Sequence, residues 1–259
     1  MRMMKKVLGT VTVLALSVSL LAGCGSTAAS PVSSAASTAA ESTTSSIVSE
    51  TTSAAADENV AAAAQLLNDL TGSYQELWPV ILADEYKQTW LDDCTALVGE
   101  DNAEAAFEKL SSMVTGDVYG EDAVKAYANG GGAYFCGFTN SLATLTFDGE
   151  TSTISGTDKD GDVLFSHTYH YIGMEPVHGL YEFESDDADS GEFTYFFLAP
   201  DTSAETYHIE FRYGSDAEAL SQYDAGEYAY WVASGISTDC DQTMIDNCIE
   251  LFCTENLAG

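Results

Sequence analysis

The sequence predicts a mainly β domain with flanking helices, an α+β arrangement built around a small antiparallel barrel. Three observations predict it. Beyond Gly130-Gly131-Gly132, seven short apolar or alternating runs follow one another, separated by turn residues. Before that point, apolar residues recur at helical spacing. The chain then closes on an amphipathic segment that opens with a helix-capping pattern.

The helices come first. Val60–Leu70 is rich in Ala and Leu and ends at Thr71-Gly72. Pro79 follows in Tyr74-Gln-Glu-Leu-Trp-Pro-Val-Ile-Leu82 and disrupts any continuous helix there. Trp78, Val80, Ile81 and Leu82 are candidate core. Asp84–Val98 and Ala103–Met113 are further amphipathic helices. The expected strands are Ala133–Phe138, Ala143–Phe147, Thr151–Ser155, Val163–Tyr171, Gly179–Phe183, Phe193–Leu198 and Thr206–Tyr213. Asp148-Gly149, Asp160-Gly161 and Ser190-Gly191 are turn dipeptides between them. Strands this close in sequence suggest an antiparallel meander that closes into a barrel. In the final helix Asp239 is the expected N-cap, with Gln242 three residues on. Met244, Ile245, Cys248, Ile249 and Phe252 then share one face.

The N-terminus reads as an export signal. Arg2, Lys5 and Lys6 form a basic head, and Val7–Leu21 is a mostly apolar core too short to favour a membrane span. It ends in Leu21-Ala22-Gly23-Cys24, similar to the bacterial lipobox, which implies lipidation of Cys24 and cleavage before it. Gly25 to about Asp57 is Ser/Thr/Ala-rich without a large aromatic residue. Such a segment cannot bury enough apolar surface to offset its chain entropy. As a random-coil tether it spans roughly 30 Å. The expected organisation is therefore a signal peptide over 1–23, a lipidated Cys24 and tether over 24–57, and one domain over 58–259. The chain is expected on the outer face of the bacterial cytoplasmic membrane, held there through its lipid alone.

The formal net charge is −33. Removing residues 1–23 takes away three basic residues and no acid, which leaves five basic residues against 41 acidic ones. So acidic a surface argues against nucleic acid and anionic lipid headgroups as partners. It concentrates cations near the protein, and it also serves solubility alone. Besides Cys24 there are Cys94, Cys136, Cys240, Cys248 and Cys253. An odd set cannot all pair internally, and none forms a CxxC motif. One or two disulfides are compatible with an exported chain, with no pairing assigned.

The stretch Phe196–Asp216 reads as a hairpin: an apolar strand into Ala199-Pro200, a polar turn, then a strand carrying Tyr207-His208-Ile209. It resembles the ligand hairpin of the ZinT zinc-trafficking family, a calycin-type, lipocalin-like barrel. Tyr74–Leu82 looks like that family's opening segment. Ala217–Leu257, with Tyr228-Ala-Tyr-Trp231 and the last helix, looks like its C-terminal section. The resemblance implies zinc binding and delivery to the substrate-binding component of a zinc importer. It also implies three histidine ligand positions, which here hold Phe196, Thr206 and His208. Phenylalanine cannot bind zinc, and a threonine hydroxyl is a poor ligand. The family's His-rich acidic loop is absent.

Glu210 lies two residues beyond His208 and shares its strand face. His208 and Glu210 are therefore the candidate metal ligands, half of a rebuilt site that a carboxylate elsewhere would complete. The competing reading is a plain polar face of Thr206, His208, Glu210 and Arg212, with Arg212 neutralising Glu210. On either reading Tyr207, Ile209, Phe211 and Tyr213 form the core set. His167 and His170 are three apart, which sends them to opposite faces of a strand. His178 falls in a loop-like Met174–His178 segment and reads as surface. Asp158–Asp162 and Asp186–Gly191 imitate parts of calcium loops but lack the spacing, and read as turns. No GxSxG, HExxH or phosphate-cradling glycine motif occurs, so no enzymatic activity is expected. The expected function is capture of zinc or a related divalent cation. The alternative is a calycin-type module that has lost the metal and binds a small organic ligand or protein partner.

Overall fold

The computed structural model describes residues 58–199 and 208–258. The expected signal peptide, Cys24 and the tether lie outside them, as do Thr206 and Tyr207.

The first helix, α1, covers residues 58–69. Ala63, Leu66, Leu67 and Leu70 recur at the helical period and are all buried against barrel residues. Strand β1 (Gly72–Glu76) follows and runs straight into α2 (Leu77–Ile81). Pro79 sits within the first turn of α2, where no backbone N–H is needed. A 3₁₀ turn (Asp84–Tyr86) leads to α3 (Lys87–Val98), and Gly99 separates α3 from α4 (Glu100–Val114). An eight-residue helix, α5 (Glu121–Ala128), comes next; it is not among the expected helices.

The strands are β2 (Thr144–Asp148), β3 (Thr153–Thr157), β4 (Val163–Met174), β5 (Tyr181–Ser185), β6 (Tyr195–Leu198), β7 (His208–Gly214) and β8 (Ala233–Ser237). Each pairs antiparallel with its neighbour, and β1 pairs with both β2 and β8, closing an eight-stranded barrel. The short α6 (Ala217–Leu220) lies between β7 and β8, and α7 (Gln242–Leu257) ends the described chain.

Two expectations are corrected. Ala133–Phe138 is not a strand; Phe135 makes only isolated bridges to Thr115 and Trp231. The N-cap of α7 is Asp241, whose carboxylate accepts the Met244 N–H at 3.0 Å, rather than Asp239. Gln242 is therefore the first helical residue. Two strands, β1 and β8, are not among the expected ones.

Two apolar cores flank the barrel wall. Inside, Phe147, Phe165, Phe183, Phe196, Phe211, Tyr213 and Trp231 pack together with α1 at the same cluster. An eight-stranded barrel is just wide enough for side chains to fill, and here aromatic rings fill it. The buried Tyr213 hydroxyl stays satisfied by accepting the Thr139 N–H at 2.6 Å and donating to its carbonyl at 2.9 Å. Outside, Ile236 of β8 and Cys136 pack with α2, α3, α4 and α7. Trp90 anchors that layer: fully buried, it donates its indole N–H to the Ile81 carbonyl at 2.7 Å.

Candidate functional site

Strand β7 alternates as its sequence dictates. Ile209, Phe211 and Tyr213 are buried in the barrel core. His208 pairs across the sheet with Ile236, and Glu210 with Ser234. Directly opposed residues share a face, and Ile236 belongs to the outer, helix-side core. His208 and Glu210 thus stand together on the outside of the barrel. The imidazole is half-buried and the carboxylate exposed.

Phe196 points the other way. It pairs with Tyr213 and stacks on it inside the barrel, with ring centroids 5.4 Å apart. Phe196 and His208 therefore lie on opposite faces of the sheet and do not converge on one ion. Glu210 also adds its charge to burial in pushing up two nearby thiols, Cys136 and Cys248, each to about 12. Both thiols are held protonated and so are poor ligands at neutral pH. Among the described residues, no group of three His, Cys, Asp or Glu side chains is placed to hold a metal ion. A closed structural zinc site takes four protein ligands and a catalytic one takes three. A pair such as His208 and Glu210 suits only a solvent-completed, weakly held ion.

Arg212 departs from the polar-face expectation of neutralising Glu210. It is fully buried. Its guanidinium donates to the carbonyls of Leu220 and Tyr228, and at 3.3 Å to that of Gln222. Its Cζ lies 4.2 Å from the Tyr223 ring centroid, in cation–π contact. Burial lowers its pKa. Arg212 is a structural pin that clamps the segment after β7 to the outer barrel wall. A lone charged residue in an alternating strand pattern gives no sign that a later loop will cover it.

The other histidines all have carboxylate neighbours. His167 Nδ1 lies 2.7 Å from Asp187, and His170 Nδ1 lies 2.7 Å from Asp186. The two rings sit on opposite faces of β4, as their spacing predicts. His178 is more enclosed than expected: its ring packs 3.7 Å from that of Tyr223. Its backbone N–H donates to the fully buried Glu175 carboxylate at 2.6 Å. Asp158 Oδ1 accepts the N–H groups of Asp160 and Asp162, so the first calcium-like stretch is an Asx-type turn. The second uses its carboxylates on the histidines.

No protein-family model matches the chain, and no curated protein matches it. Among solved structures, the Zn(II)-bound ZinT-like domain of Streptococcus pneumoniae AdcA is similar at 15% identity, over 70% of this chain and 87% of that one, with a TM-score of 0.44. Zn(II)-bound AdcA from the same organism is similar at 14% identity, over 72% of this chain and 35% of that one, with a TM-score of 0.42. The chain spans about a third of the length of full AdcA. Its own closed eight-stranded antiparallel barrel, with α1 before it, α2 to α5 between β1 and β2, and a C-terminal helix, agrees with the calycin-type fold that the resemblance implies.

Proposed function

We propose that the chain is an exported, lipid-anchored carrier that captures a divalent cation, zinc first, and hands it to the substrate-binding component of a metal importer. The observation that carries this reading is the shared outer face of His208 and Glu210, an imidazole and a carboxylate two residues apart on one strand. With water completing the coordination, such a pair holds an ion loosely, and loose binding suits transfer. The formal charge of −33 favours cations near the surface. The reading assigns no catalysis. It takes Cys24 as the lipidated residue.

Zinc titration of the full chain by native mass spectrometry tests the cation, beside His208→Ala and Glu210→Ala. One zinc bound by the parent and lost in both variants supports the reading. Equal binding by all three proteins, or none at micromolar zinc, overturns it. Labelled fatty acid incorporated by the parent and lost in Cys24→Ser tests the anchor.

A second reading, a module for a small organic ligand, draws on a cleft of about 340 Å³ outside the barrel. Trp78, Pro79, Leu82, Val114, Phe135 and Glu76 line it. A mostly apolar wall with one carboxylate suits a small amphipathic molecule. Failure of the zinc titration directs the search there, since the barrel interior is filled with aromatic side chains.

A further inference from the structure

Five cysteines are described, and all are free thiols in this structure. Cys94 on α3 and Cys253 on α7 differ from the rest. Both are fully buried, and their sulfurs lie 3.9 Å apart although the residues are 159 positions apart in sequence. Among the described residues, no other cysteine pair makes a sulfur–sulfur hydrogen-bond contact. The helix interface around them is well defined. Trp90, one turn before Cys94, meets Phe252 edge-on, with ring centroids 5.9 Å apart. The same two helices are therefore held in register by an aromatic contact and a sulfur contact side by side.

We propose that Cys94 and Cys253 form a disulfide that staples α3 to α7 when the chain folds in an oxidising compartment. Closing the sulfurs from 3.9 Å to a bond of about 2.05 Å takes a shift of about 1.9 Å, shared between two side chains on helices already packed together. The oxidant is a disulfide, either a small-molecule disulfide such as oxidised glutathione or that of an oxidoreductase. One cysteine thiolate attacks it, forming a mixed disulfide and releasing one thiol. The second cysteine thiolate then attacks the protein-side sulfur and releases the other thiol. The chain loses two electrons and two protons, and the oxidant accepts them as two thiols.

Timing follows from burial. Within the folded core, burial raises the pKa of both thiols. The thiolate is the nucleophile, so exchange proceeds while α7 is still undocked. The closed loop contains every strand from β2 to β8. A cross-link over so long a loop removes much freedom from the unfolded chain. The staple is independent of the cation reading and stands or falls separately from it.

The test is refolding of the fully reduced, unfolded full chain in reduced and oxidised glutathione. The product is quenched with N-ethylmaleimide in denaturant, and its peptides are mapped by mass spectrometry without reduction. The expected product is a Cys94–Cys253 peptide pair lighter by two hydrogens, with Cys24, Cys136, Cys240 and Cys248 alkylated. Its urea midpoint lies above that of the same protein after reduction. Cys253→Ala loses both the cross-link and the upward shift, while Cys240→Ala retains both. Alkylated Cys94 and Cys253 in the refolded parent, or linkage of either to another cysteine, overturns the proposal. The parent map decides the matter even where Cys253→Ala fails to fold.

Discussion

His167 Nδ1 stands 2.7 Å from Asp187 Oδ2, and the preceding acid, Asp186, meets His170 at the same distance on the opposite face of β4. One Asp-Asp dipeptide thus straddles the strand. This geometry arises because the β4–β5 ladder continues past β5, with the Asp186 N–H donating to the Thr168 carbonyl at 2.8 Å. Alternation then sends adjacent acids to opposite sides, each toward one of two histidines spaced by three.

The two pairs differ in solvent exposure, with the His167 side chain 17% exposed and that of His170 52% exposed. Screening by water weakens the outer pair. Asp187→Ala is expected to cost about 1–2 kcal/mol, as for a partly buried charge-assisted hydrogen bond. Asp186→Ala is expected to cost under about 0.5 kcal/mol. Urea denaturation of the two variants checks the ordering, and equal losses would refute it.

Arg212 clamps three carbonyls from a fully buried position. Lysine keeps the charge but cannot present a planar fork to several acceptors. Arg212→Lys is expected to destabilise by about 3 kcal/mol through unsatisfied carbonyls and a buried ammonium. Amide hydrogen exchange should show the 217–230 segment losing protection while β2–β4 keep theirs. Uniform loss over the whole barrel would contradict the pinning role.

Gly149 lies where the β2–β3 turn touches α1. A Cβ there would stand 2.4 Å from Asn68 Cα and 2.6 Å from the Leu67 carbonyl oxygen. The backbone N–H of Gly149 also donates to Thr71 Oγ1 at 3.0 Å. Gly149→Ala must push the turn and helix apart, at about 2 kcal/mol for an overpacked contact. Faster hydrogen exchange in α1 is the expected signature, and unchanged exchange there would show that the contact yields freely.

Asp93 sits on α3 near Asp92, Asp246 and Glu250. Burial first, then those like charges, raise its carboxyl above the ordinary 3.8. A carboxyl raised in the folded state binds its proton more tightly there than in the unfolded chain. Stability therefore falls as pH rises from about the unfolded value through the raised folded one. At neutral pH the whole cost is present. Asp93→Asn is expected to gain about 0.5 kcal/mol at pH 7, as for relief of like-charge pairs on helices. That gain should fade below pH ~4 and shrink in high salt. A gain that persists at pH 3 would place its cause elsewhere.

Much of the fold was legible locally. The alternation of Ile209, Phe211 and Tyr213 specified the inner face of β7, and the spacing of Ala63, Leu66, Leu67 and Leu70 specified the buried side of α1. The strands that close the barrel were not legible. Tyr74 of β1 pairs with Leu145 on one side and Ser237 on the other. Neither partner is near in sequence, and β1 spans only five residues before α2 begins. With no turn residue between β1 and α2, nothing in the sequence marks where the strand ends.

The candidate site divides the same way. The sequence by itself determined that His208 and Glu210 share a face, because the side-chain period of a strand is two. Only the tertiary structure decided what each face of the sheet meets. It put both residues outside the barrel and Phe196 inside, and it gave Arg212 to the loop carbonyls rather than to Glu210. It also brought Cys94 to Cys253. Periodicity is a local property of the backbone. Which elements cover a given face depends on chain closure over long separations, where the burial of whole helices and loops outweighs any local preference.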